Sequence, residues 1–336
     1  MTSVAPESGV GWRPVAIVSN SAAAAALLVS LAAAGGAPRA APAGIPDPGA
    51  LTRWGLPVLV LLEVLAAVAV VGHLLLLGML SSTRAPKLRK DAARLLPTVG
   101  VLAAMWWALA LLRSLFEVSD RVAEPLPGAL RGGTLTGYAL ESPDGRAALA
   151  VLVLTLPIAL FATTVSSVRG TRTLLFLAIA ALVPPAFAGH ATSSGNPRLA
   201  AFTLAVHIIG VSVWVGGLAV LLVRLRELES DPALLHRFSG VALACFLAVG
   251  TTGVANALLH VPFDDLVRSS YGALAGVKLL AFLLLGALGV LHRRRALPHL
   301  VGGGHGRFLR LAVMEVTLMA LTLGVAVGLS RTPPPI

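Results

Sequence analysis

Few residues in this 336-residue chain could hold a metal or move a proton: eight His, one Cys, and fifteen Asp and Glu. The single Cys245 excludes an internal disulfide and any Cys-cluster zinc or iron–sulfur site. Imidazole, thioether and carboxylate remain. Imidazole suits copper, zinc, iron and nickel, while thioether selects Cu(I). Three histidines, His190, His207 and His260, belong to three successive apolar segments and fall toward one side of them. With no carboxylate nearby, such a set could hold Cu(I), Cu(II) or Zn(II). The same residues could serve as haem axial ligands, which requires two facing His at matched depth. His207 and His260 differ by about two helical turns, and His190 and His260 are level but close to a surface. There is no P-loop, no GxGxxG before a helix and no HExxH, so neither ATP-driven transport nor an enzyme activity is expected of this chain.

The elements carrying these residues are set by composition. Hydrophobic residues make up 57% and charged residues 12%, and the mean hydropathy is +0.87. Soluble domains carry roughly 45–50% and about 25%, and a soluble fold of this size has too little interior for the excess. Apolar runs of about 20 residues cross a bilayer as helices. Nine are predicted, at 14–36, 54–81, 95–117, 146–168, 172–189, 199–223, 237–260, 271–292 and 308–330. The fold class is therefore an all-α polytopic transmembrane bundle. About 16 of the 26 Lys and Arg fall in the N-terminus and the even-to-odd connections, such as Arg84–Arg94 and Arg293–Arg310, and about 8 on the opposite side. The positive-inside rule then places the N-terminus in the cytoplasm and the C-terminus outside. The net charge of +11 is mostly this topology signal. It fits contact with the lipid bilayer and not nucleic-acid binding, which needs the basic residues on one soluble face. The first span also has some features of a cleaved signal peptide, with Arg13 as its one n-region charge.

Ionisable residues inside spans are candidates by default. Pro184-Pro185 should break the fifth span just before His190. His207, Gly210, Val211 and Trp214 share one face of the sixth span, where small glycines admit a neighbouring helix. Thr252, Asn256 and His260 recur at i, i+4, i+8 on the seventh, and Tyr271 and Lys278 share a face of the eighth. Bland readings stand beside these. A His at a helix end ordinarily makes an interfacial hydrogen bond, and Lys278 could snorkel. Arg113 and Glu117 read as a structural ion pair, and Glu63 as an unpaired carboxylate. Toward the other side lie His73, Met79, Met314, Glu315 and Met319, a weaker release site; methionines at helical spacing are more often core. His236, His292, His299 and His305 sit in or beside basic loops and read as solvated. The stretch 118–145 reads as a solvated loop. Two regions are expected: 1–190 with five spans, and 191–336 with four.

The stretch His207…Trp214…Gly216-Gly217, the run from Arg237-Phe-Ser to Gly253-Val-Ala-Asn256-Ala-Leu-Leu-His260, Tyr271-Gly…Lys278, His292-Arg-Arg-Arg, Met314-Glu315 and the closing Thr332-Pro-Pro-Pro resemble the copper resistance D family of bacterial inner-membrane proteins. The likeness covers about 200–335 and its style is similar to the actinobacterial branch. It implies a copper transport protein of the bacterial plasma membrane, moving copper ions inward and working with an extracytoplasmic copper carrier. It maps metal binding onto His207, then His190 and His260, with Asn256, Trp214, Lys278, His73, Met314 and Glu315 along a path. Relatives in that branch often continue into a second membrane domain similar to an oxidase assembly factor, and many carry methionines in outer loops; 118–145 holds none.

Overall fold

A computed structural model describes residues 12–34, 36–81, 94–188, 196–224, 232–260, 269–291, 293–294 and 305–332. Among them the regular elements are all helical: α1 Trp12–Ala33, α2 Gly49–Ser81, α3 Leu96–Val122, α4 Leu126–Ala129, α5 Thr134–Glu141, α6 Pro143–Phe161, α7 Val168–Ala181, α8 Pro197–Val223, α9 Pro232–His260, α10 Ser270–Leu291 and α11 His305–Ser330. Nine of the described helical segments are long and apolar enough to cross a membrane. The starts follow local chemistry. Asp47 precedes α2 and accepts from the backbone N–H groups of Ala41 and Gly49 at 2.7 and 2.6 Å and from Arg53. Those two N–H groups, with Arg53 behind them, hold its carboxyl below the usual range. Ser142, Ser167 and Asn196 each accept a backbone N–H three residues on, capping α6, α7 and α8. Pro143 and Pro197 occupy first-turn positions, where no donor is lost.

The helix α2 is central and packs against α3, α7, α8 and α11; α1 lies along α11, α9 on α8, and α10 on α11. The predicted regions 1–190 and 191–336 thus interleave in the bundle. The directions alternate as nine spans require. Contacts of α8 with α9 run in opposite order, 203 with 256, 207 with 252 and 210 with 249. Contacts of α2 with α8 run in the same order: a Cβ on Gly216 would meet Val68, and one on Gly217 would meet Leu75. A Cβ on Gly72 or Gly216 would fall under 3.0 Å from the other helix's backbone. Only glycine permits that approach, which fixes α8 against the centre of the bundle.

One sequence expectation changes and another holds. The stretch 118–145 is not an extended solvated loop: α4 and α5 fold over the helix ends, with Ala129 and Tyr138 buried. The fifth span does break at the Pro pair; α7 ends at Ala181 and a 3-10 turn follows at Pro184–Phe187.

Candidate functional site

The seam between α8, α9 and α10 carries a ladder of polar groups in the half of the bundle nearer α4 and α5. Thr203 donates to Asn256 Oδ1 at 3.1 Å, and Asn256 Nδ2 donates to the Thr252 carbonyl at 2.9 Å. One turn deeper, His207 Nδ1 lies 3.2 Å from Thr252 Oγ1. The Thr252 hydroxyl is already committed as a donor to the Ala248 carbonyl at 2.6 Å. It therefore accepts from the ring, Nδ1 carries the proton, and Nε2 keeps a lone pair. Gly253 leaves room beside the ring: a Cβ there would sit 3.4 Å from His207 Cε1. Lys278, half-buried on α10, lies within electrostatic range of the same imidazole.

An aromatic layer closes the seam below this ladder. Trp214, 6% exposed, meets Phe246 edge-on at 5.6 Å, and Phe246 stacks on Phe282 at 4.3 Å and 4°. Each Phe seats on a glycine of the facing helix, Phe282 against Gly250 and Phe246 against Gly286. Lys278 stands one turn above Phe282 on α10, so ammonium and ring share a face. Sequence reasoning placed His207, Thr252, Asn256, Trp214 and Lys278 along this seam, but did not single out Thr203, Phe246 or Phe282. The Phe–Gly spacing between spans was the available signal.

The other expected ligands are placed differently. His190 lies outside the described residues. His260 ends α9, eight residues beyond Thr252, so its backbone is about 12 Å further along the helix axis. Among the described residues no group of three or more His, Cys, Asp or Glu side chains comes together. Toward the opposite end, His73 Nδ1 donates to the Ala69 carbonyl at 2.8 Å with Arg224 in electrostatic range. Glu315 and Met319 are buried, but Met314 is 57% exposed and faces out of the bundle. His236 is exposed, whereas His292 and His299 lie outside the described residues.

Glu63 is paired, contrary to its expected isolation. Arg113 Nε lies 2.5 Å from Glu63 Oε2, while Arg113 donates to Glu117 Oε1 at 2.7 Å. Tyr138 of α5 donates to the other Glu117 oxygen. Burial, then the Glu117 charge, push the Tyr138 phenol well above its ordinary range. Two carboxylates on one guanidinium tie α2, α3 and α5 together. Sequence spacing showed the Arg113–Glu117 pair at i, i+4; the Glu63 partner comes from an antiparallel neighbour.

No curated protein and no solved structure matches the chain. Residues 232–329 match the family model described as copper resistance protein D. That stretch includes Thr252, Asn256, Phe246, Lys278 and Phe282 but not His207. The described residues thus form an all-helical bundle with nine candidate membrane spans, and its C-terminal part, α9 to most of α11, is similar to the copper resistance protein D family.

Proposed function

We propose that this chain is a copper transport protein that admits copper ions into the seam of α8, α9 and α10, with His207 as the principal ligand. The observation that carries the reading is the His207 ring itself. It lies within a span, its Nδ1 is held by Thr252, and its remaining nitrogen offers a lone pair. An imidazole oriented through its second nitrogen is how proteins present His to a late transition metal. Hydroxyl and amide oxygens nearby are poor donors for Cu(I), so one imidazole needs help. His260, at the end of α9 nearer α4 and α5, and His190, three residues in sequence beyond the Pro184–Phe187 turn, are proposed as the entry ligands that pass the ion down to His207.

The Lys and Arg asymmetry supports an α4–α5 end outside a bacterial plasma membrane and inward movement of copper. Below His207 the Trp214–Phe246–Phe282 layer separates the ladder from His73 and Glu315, the proposed release side. An ion must displace or bypass these rings, which makes the layer the proposed barrier to leak. The matched family is named for copper resistance rather than for a catalytic activity, and no chemical step is assigned.

The test is metal content with a visible spectrum of the protein purified after growth with copper. About one copper per chain, reduced by replacement of His207, supports the reading. A strong Soret band with stoichiometric haem and no copper overturns it in favour of electron transfer.

A further inference from the structure

A groove of about 650 Å³ opens between α6 and α7 on the outside of the bundle, away from the α8–α10 seam. It is lined by apolar side chains, including Ala147, Phe176, Ile179, Val183 and Phe187, with Arg146 as its charged residue. Its volume lies within the range of sites that hold small organic ligands, roughly 300–1,000 Å³. The fold creates it. The helix α7 stops at Ala181, and the 3-10 turn at Pro184–Phe187 carries the chain on, leaving the groove beside the start of α6.

The groove has the dimensions and polarity of one half of a bilayer. Phe187 marks its end near the α4–α5 face and Phe176 its deep end. Both are exposed. The chain between them rises about 17 Å, from the helical and 3-10 repeats. That is close to half of a hydrocarbon core about 30 Å thick. Arg146 sits at the shallow end, one turn into α6, where the candidate span begins. The nearest carboxylate in sequence, Asp144, is occupied by Arg121 at 3.3 Å. An exposed guanidinium at the shallow end of an apolar slot matches a phosphate followed by an acyl chain.

We propose that this groove is a binding site for one anionic phospholipid of the leaflet on the α4–α5 side, with the headgroup phosphate on Arg146 and one acyl chain between α6 and α7. Charge favours an anionic headgroup over a zwitterionic one, because among the described residues no carboxylate lines the groove to meet an added cation.

Native mass spectrometry of the detergent-purified full chain tests this. The probes are long-chain phosphatidylglycerol, long-chain phosphatidylcholine, and dihexanoyl phosphatidylglycerol, which has the same headgroup on chains too short to reach Phe176. The native protein should retain phosphatidylglycerol over phosphatidylcholine by about two- to fivefold, the range of one exposed ion pair. Arg146→Gln, a change at an exposed residue, should bring that ratio to about one while lipid is still retained. Dihexanoyl phosphatidylglycerol should not compete. Equal retention of the two long-chain lipids by the native protein overturns the headgroup assignment. Competition by the short-chain lipid overturns the acyl-chain assignment. A dimer that excludes both long-chain lipids shows that a second copy of the chain covers the groove, and overturns the proposal.

Discussion

Replacing Thr252 with Val tests the structural logic of the site, because Val keeps the branched shape and removes only the hydroxyl. In the native arrangement that hydroxyl donates to Ala248 and accepts from His207 Nδ1. Without it the ring's N–H keeps only the Val249 carbonyl as an acceptor on α9. The direct loss is one interhelical hydrogen bond in an apolar setting, about 0.6 kcal/mol on average and at most about 1.7. The fold should therefore persist, and the thermal midpoint should move by only a few degrees. The loss of orientation should be larger. Removing a group that holds a metal-ligating His typically lowers affinity 10–100-fold, or about 1.4–2.7 kcal/mol. A Cu(I) competition titration against a chromogenic chelator would read this, with the protein in nanodiscs at fixed pH. Thr252→Ser retains a hydroxyl and should bind within a few-fold of native. If Thr252→Val binds copper as tightly as native while His207→Ala does not, the Thr252 hydroxyl is not what orients the ring and the case for its positioning role fails.

Two further outcomes follow from the packing. Arg113→Leu leaves Glu63 and Glu117 without their shared guanidinium and should destabilise the protein by about 3–5 kcal/mol. Adding Glu63→Gln should recover part of that in a thermal melt, and a native-like melt for Arg113→Leu alone would show the pair to be inessential. Gly216→Ala places a Cβ against the α2 backbone and should destabilise by about 1–3 kcal/mol. Gly276→Ala, where nothing lies within 4 Å, should be neutral; equal melts for the two would remove the case for a glycine-dependent crossing.

The spans were legible because the bilayer imposes one pattern, an apolar run of fixed length, on every helix. The break at Pro184-Pro185 was legible for an equally local reason. The seam was partly legible. Thr252 and Asn256 recur at helical spacing, and His207 shares a face with Gly210, so the facing surfaces followed without knowing the partners. Pairing between distant helices was not available. Glu63 gives no local sign that Arg113, fifty residues on, lies against it, and Phe246 and Phe282 look like ordinary apolar residues until Gly250 and Gly286 face them. Met314 and Glu315 show how sequence adjacency does not place two residues on one face. Adjacent in sequence, they lie about 100° apart around α11, the first exposed and the second buried in the core. The short helices α4 and α5 escaped notice because eight residues or fewer carry too little periodicity to separate from a turn-rich loop.

The most direct test of copper binding at His207 compares His207→Ala with the native protein. Both would be loaded with copper, washed with a competing chelator, and assayed for copper per chain and for nitrogen neighbours by X-ray absorption. Alanine adds no bulk, and membrane insertion depends on overall apolarity, so the variant should be produced and should melt near the native temperature. The account predicts that the native protein keeps about one copper with imidazole nitrogen in its shell and that His207→Ala loses it. A His207→Ala protein with native yield, native copper content and an unchanged absorption spectrum would contradict the assignment of His207 as ligand.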